Sequence, residues 1–116
     1  MVFLVLIMDL NDYQYKARKT ALYPNAGDNL IYPTLGLAGE AGEVADKVKK
    51  VLRDHNGVFD DSTKIAIMLE LGDVLWYIAQ LSSELGFDLD QVANENLKKL
   101  SSRFNRGKIS GEGDFR

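Results

Sequence analysis

The sequence predicts an all-α fold, most simply a four-helix bundle with short connections, completed by homo-oligomerisation. Three observations carry this expectation. Apolar residues recur with a helical period between three clusters of turn formers. Beyond the first eight residues, no segment alternates at period two over a strand's length. One helix is apolar nearly all the way round, more than a chain of 116 residues buries by itself. That length suits one domain over residues 1–116 and is too short for two independent cores.

Residues 1–8, Met1-Val-Phe-Leu-Val-Leu-Ile-Met8, form an apolar arm. It is too short to span a bilayer and lacks the basic start of a signal peptide. It reads as a segment packed on a partner, as residues ahead of a true start at Met8, or as a short strand. Asp9 is a cap candidate for a first helix running to about Leu22, with Tyr13, Ala17 and Ala21 every four residues. Tyr23-Pro24-Asn25-Ala26-Gly27-Asp28-Asn29 is a loop of turn formers. From Leu35 to Leu52 the residues Leu37, Ala41, Val44, Val48 and Val51 make one stripe of an amphipathic helix. Asp54-His55-Asn56-Gly57 breaks it, and Ser62 is the expected cap of a third helix over Thr63–Leu85. After Gly86-Phe87, Asp88 and Gln91 resemble a capping box opening a last helix to about Arg103. Residues 108–116 read as a flexible tail.

Composition narrows the chemistry. The chain has no cysteine and one histidine, His55. That excludes a disulfide framework, a thiolate metal site and a cysteine nucleophile. It also excludes, within one chain, a His-rich zinc site, a Ser/His/Asp triad and a di-iron bundle of two Glu-x-x-His pairs. Carboxylates, amines, hydroxyls and amides remain, an inventory that suits a hard cation such as magnesium. A net charge of −3 disfavours nucleic-acid binding, although Lys98, Lys99, Arg103, Arg106 and Lys108 follow one another with no acid between them. That run reads either as a solvated helix end or as a phosphate-facing patch. Nothing directs the chain out of the cytoplasm or into a membrane.

The chemistry concentrates in two stretches, Glu40-x-x-Glu43 and Glu70-x-x-Asp73. Acids three apart project from one helix face on successive turns. Spacing alone is weak, because Asp9/Asp12 and Glu43/Asp46 show it too. Surroundings distinguish the other two pairs. At about 100° per residue, Ile67, Leu71, Val74, Ile78, Leu81 and Leu85 form one stripe of the third helix. Ile65, Met68, Leu69, Leu75, Trp76 and Ala79 form a second. Glu70, Asp73, Tyr77, Gln80 and Glu84 share the narrow arc left between them. Acids on so apolar a helix repel one another and lose hydration, and a divalent cation relieves both costs. Gly36, Gly39 and Gly42 recur every three residues, which suggests a close helix approach or room for a ligand. A hairpin folded at residues 53–62 brings Glu40, Glu43, Glu70 and Asp73 together as a magnesium site suited to phosphoryl chemistry. The competing reading pairs Glu40 and Glu43 with Lys47 and Lys50 on the surface, and gives Glu70 and Asp73 to caps or arginines. Asp46 falls around the helix from the site, and His55 reads as a bystander in a turn.

These residues resemble the MazG-like nucleotide pyrophosphohydrolases of the all-α NTP pyrophosphatase superfamily. The likeness rests on Glu40-x-x-Glu43, twenty-six intervening residues and Glu70-x-x-Asp73. It extends to Tyr13-Gln14, the run from Leu35 to Val44, Lys47 to Lys50, Leu71-Gly-Asp-Val-Leu-Trp-Tyr77 and Asn96-Leu-Lys-Lys-Leu-x-x-Arg103. It spans about residues 9–107. The resemblance implies Mg²⁺-dependent hydrolysis of an NTP or dNTP to monophosphate and pyrophosphate, with Mn²⁺ as a substitute metal. Glu40, Glu43, Glu70 and Asp73 would hold the metal, and Glu40 or Glu43 would accept the water proton. Lys47, Lys50, Lys99 and Arg103 are candidates for phosphate contacts, weighed against simple surface charge. Asn96 is a candidate for ribose or base, Tyr77 for stacking, and Gln14 with Tyr13 for completing the base pocket; Trp76 belongs to core or interface. The resemblance also implies a homodimer or homotetramer with sites at bundle interfaces, and nucleotide-pool cleansing in the cytoplasm. Rival readings are a dUTP or phosphoribosyl-ATP pyrophosphohydrolase, and a non-catalytic metal-binding oligomerisation module.

Overall fold

The computed structural model describes residues 8–116, so the apolar arm lies outside the described residues except for Met8. Those residues form four helices and no strand: α1 (Leu10–Arg18), α2 (Ile31–Asp54), α3 (Asp61–Leu85) and α4 (Leu89–Asn105).

Asp9 caps α1 as expected. Its Oδ1 accepts the Asp12 N–H at 2.7 Å, and Asp12 Oδ2 receives the Asp9 N–H at 3.4 Å. The helix ends at Arg18, short of the expected Leu22. Thr20 explains the early stop. Its hydroxyl donates to the Ala17 carbonyl at 2.7 Å and accepts from the Trp76 indole N–H at 2.8 Å. The chain is thereby tied to α3 rather than continuing as helix.

The following loop is organised from α3. The Glu84 carboxylate accepts from the Tyr23 hydroxyl, from Gly27 N–H at 2.8 Å and from Asn29 N–H at 3.4 Å. Gly27 sits at φ 102°, a backbone conformation that glycine adopts freely. Asn29 Oδ1 then accepts the N–H groups of Ile31 and Tyr32 at 3.1 and 3.0 Å. This supplies the cap that lets α2 begin at Ile31, four residues before the expected Leu35. Pro33 falls in that first turn, where a missing N–H removes no helical bond.

α2 and α3 form the expected antiparallel hairpin and the largest helix–helix contact. Its turn uses Asn56 and Gly57 at positive φ, with Gly57 N–H returned to the Val51 carbonyl at 3.1 Å. The cap of α3 is Asp60, not the expected Ser62. Asp60 Oδ1 accepts the Thr63 N–H at 2.9 Å, while the Ser62 hydroxyl turns back to the same oxygen at 2.8 Å. Gly86 closes α3 at φ 81°. At α4, Gln91 Oε1 accepts the Asp88 N–H at 3.2 Å, the expected side-chain return of a capping box.

α1 lies against α3 and α4, whereas α2 and α4 do not touch. The bundle is therefore open. Its radius of gyration is 17.4 Å, against about 13 Å for a closed domain of this length. On α3, Ile65, Met68, Leu69 and Leu75 are 54%, 57%, 64% and 36% exposed. They share one face, the second of the two apolar stripes. By length and composition α3 is also apolar enough to cross a membrane.

Candidate functional site

Three of the four expected carboxylates converge. Single oxygens of Glu40 on α2 and of Glu70 and Asp73 on α3 lie within 4.8 Å of one another. Glu40 and Glu70 are half-buried and Asp73 is exposed. Glu43 lies outside this trio, on the exposed side of α2, but close enough to act on Glu40 electrostatically. The Glu40 carboxyl is pushed up from its usual value, first by burial and then by the charges of Asp73, Glu70 and Glu43. Uncompensated negative charge has been gathered here rather than dispersed.

The surface-pairing alternative does not describe this arrangement. Lys50 binds Asp46 at 2.7 Å and Lys49 binds it at 3.0 Å, which lowers the Asp46 pKa to about 2. Lys47 reaches Glu70, at 4.0 Å, the outer limit of an ion pair. Among the described residues, no cation lies within ion-pair distance of Glu40, Glu43 or Asp73. Three hard oxygen donors with one distant ammonium fit a hard divalent cation, which takes carboxylates, waters and substrate oxygens.

Aromatic rings wall the site. Tyr77 lies beside Glu40 and Asp73, and burial is the first cause of its raised pKa. It meets Trp76 edge-on at 4.9 Å and Tyr32 at 6.4 Å. Tyr32 in turn stacks on the buried Tyr23 at 4.9 Å. The Tyr77 ring occupies the space a Cβ on Gly36 would fill. Gly36 is thus the close approach expected of the repeated glycines, whereas Gly39 and Gly42 face open space within the chain.

The remaining candidates are dispersed. Gln14 joins α1 to the α3–α4 corner: its amide donates to Ser83 Oγ and Phe87 O and accepts the Leu89 N–H at 2.8 Å. That leaves its amide engaged in packing. Asn96 and Lys99 line a cleft of about 380 Å³ with Phe87, Gln91 and Val92. Arg103 is 5% exposed and donates to the Asp114 carbonyl at 2.7 Å. Since α4 does not touch α2, one chain does not carry these three groups to Glu40. His55 stays in the turn after α2 and lies near Lys47 and Lys50. Glu84, expected on the acid arc, is instead a positioning group. With its side chain fully buried against Arg18 at 3.3 Å, it has a pKa lowered to about 2 by the Tyr23, Gly27, Asn29 and Arg18 donors, despite burial.

Comparison with known proteins agrees with this geometry. The model of the MazG nucleotide pyrophosphohydrolase domain matches residues 33–107, which hold all four candidate acids. The Gene 37 protein of Mycobacterium phage L5 is 50% identical over 114 residues, covering 94% of this chain and 100% of the relative. No solved structure matches. Four helices, paired carboxylates across the α2–α3 hairpin and a family match over most of the chain lead to one assignment: the chain belongs to the MazG nucleotide pyrophosphohydrolase domain family.

Proposed function

We propose that the chain is a Mg²⁺-dependent nucleoside triphosphate pyrophosphohydrolase that converts an NTP or dNTP to the monophosphate and pyrophosphate. The observation that carries this reading is the convergence of Glu40, Glu70 and Asp73 with only Lys47, 4.0 Å from Glu70, as a nearby cation. The bound metal would neutralise phosphate oxygens and activate water. Glu40, Glu70 and Asp73 would hold it, with Glu43 completing the set. Glu43, exposed and one turn from Glu40, is also available to take a proton from the attacking water. Lys47, beside Glu70, would steer an incoming phosphate without saturating the acids. Tyr77 offers a ring face next to the acids, with its position fixed by Gly36. No covalent enzyme intermediate is required.

The same reading makes the working unit a homodimer or homotetramer in the cytoplasm, with no nucleic acid or membrane as partner. Support comes from the exposed stripe of Ile65, Met68, Leu69 and Leu75, which lies on α3 beside the arc that carries Asp73. A second copy on that stripe would cover it and border the acids. It would also offer Asn96, Lys99 and Arg103, which one chain does not bring to Glu40. Nucleotide-pool cleansing is the role we propose for this activity.

The test is substitution within the acid set. Glu43→Gln and Asp73→Asn each abolish turnover while the circular-dichroism spectrum stays helical. Undiminished turnover in either variant would place the metal elsewhere.

A further inference from the structure

The residues after α4 do not project away from it. Gly107–Arg116 folds back along the helix end, and Asp114 lands on two α4 cations. Asp114 Oδ1 lies 2.9 Å from Lys99 Nζ and 3.4 Å from Arg103 Nη2. The Asp114 carbonyl accepts from the same Arg103 nitrogen at 2.7 Å. Arg116 closes the turn on itself, donating to the carbonyls of Lys108, Ile109 and Gly113. Gly113 supports the turn at φ 81°, where a Cβ is strained.

Two features distinguish this contact from an ordinary surface pair. Arg103 is 5% exposed and its Nε is buried with no partner, so a guanidinium has been sunk into the fold with donor capacity to spare. Asp114, by contrast, is held only from one side, with 73% of its side chain exposed. A fixed cation pair with a loosely held carboxylate is the arrangement of an anion site occupied by an easily displaced ligand. The Lys99–Asp114 pair, exposed on both sides, is weak and salt-screened. A polyphosphate brings several charges to the same donors and outcompetes one carboxylate. Lys99 also borders the apolar cleft of Phe87 and Val92 that Asn96 lines. An anion bound there therefore sits beside that cleft of about 380 Å³.

We propose that the Gly111–Arg116 turn is an intramolecular occupant of a polyphosphate site formed by Lys99 and Arg103, and that Asp114 must be displaced before the phosphates of a substrate enter. This rests on the proposed function only in identifying the displacing anion as substrate. The tail then sets substrate affinity, and a change that frees it tightens binding.

The experiment uses the full chain and inorganic tripolyphosphate, titrated calorimetrically in EDTA so that the metal site makes no contribution. Asp114→Asn removes the competing charge, and Gly113→Ala strains the turn with no change in charge. Both tighten tripolyphosphate binding by about two- to fivefold, the range of one exposed ion pair. Lys99→Met weakens it. Equal affinity in wild type and Asp114→Asn, or no loss in Lys99→Met, overturns the proposal. The two readings fail separately. Tighter tripolyphosphate binding without hydrolysis of any nucleotide keeps the anion site and removes the enzyme. Hydrolysis with an unaltered Asp114→Asn isotherm does the reverse.

Discussion

Glu84→Gln is the substitution whose effect follows most directly from the structure. The fully buried side chain holds Arg18, Tyr23, Gly27 and Asn29, and so fixes the loop between α1 and α2. Its pKa is lowered from 4.5 to about 2. A carboxyl whose folded pKa is depressed stabilises the fold above its unfolded pKa and loses that contribution as pH falls through the folded one. At about 1.4 kcal/mol per unit, the shift corresponds to about 3 kcal/mol at neutral pH. Glutamine keeps one acceptor but loses the charge, so the expected cost is about 2–3 kcal/mol. Urea unfolding of both proteins at pH 7 and at pH 3.5 measures it. By pH 3.5 part of the wild-type advantage is already gone, so the two stabilities converge on acidification. A difference below about 0.5 kcal/mol at pH 7 would refute the reasoning, as would a gap that is constant with pH.

Further predictions concern the site. Gly36→Ala places a methyl inside the Tyr77 ring and destabilises the protein by about 1–3 kcal/mol in a thermal melt; combining it with Tyr77→Ala recovers most of the loss. Mg²⁺ at about 100 times its Kd stabilises the wild type by about 2.7 kcal/mol, and Glu70→Gln or Asp73→Asn abolishes that gain in the same melt. Because the Glu40 carboxyl is raised above its usual value, protons compete with the metal more readily there, so Mg²⁺ affinity measured by calorimetry falls as pH is lowered.

Much of this molecule is written in local pattern. The stripe from Leu37 to Val51 and the two stripes of α3 determine the hairpin, because burying them requires two antiparallel helices. The caps at Asp9 and Asp88 are legible because a capping box is a contact over three residues. Glu40, Glu70 and Asp73 are legible for a similar reason: spacing on each helix, together with a short turn, leaves them one place to meet. What escapes the sequence is held from a distance. The end of α1 and the start of α2 depend on Thr20 meeting Trp76, and on Glu84 fixing Gly27 and Asn29 across more than fifty residues. Asp60 and Ser62 are both ordinary caps, and the choice between them turns on which oxygen faces Thr63. The contact of Asp114 with Lys99 spans fifteen residues of polar chain with no periodicity to announce it. Gln14 looks free in sequence, yet its amide is spent at the α3–α4 corner.

The central claim is that the gathered acids of α2 and α3 serve a pyrophosphohydrolase. The direct measurement is product identity from each common NTP and dNTP, with and without Mg²⁺. The account predicts pyrophosphate and nucleoside monophosphate in equal amounts, only when the metal is present. Orthophosphate as the product, or turnover undiminished by EDTA, would contradict it.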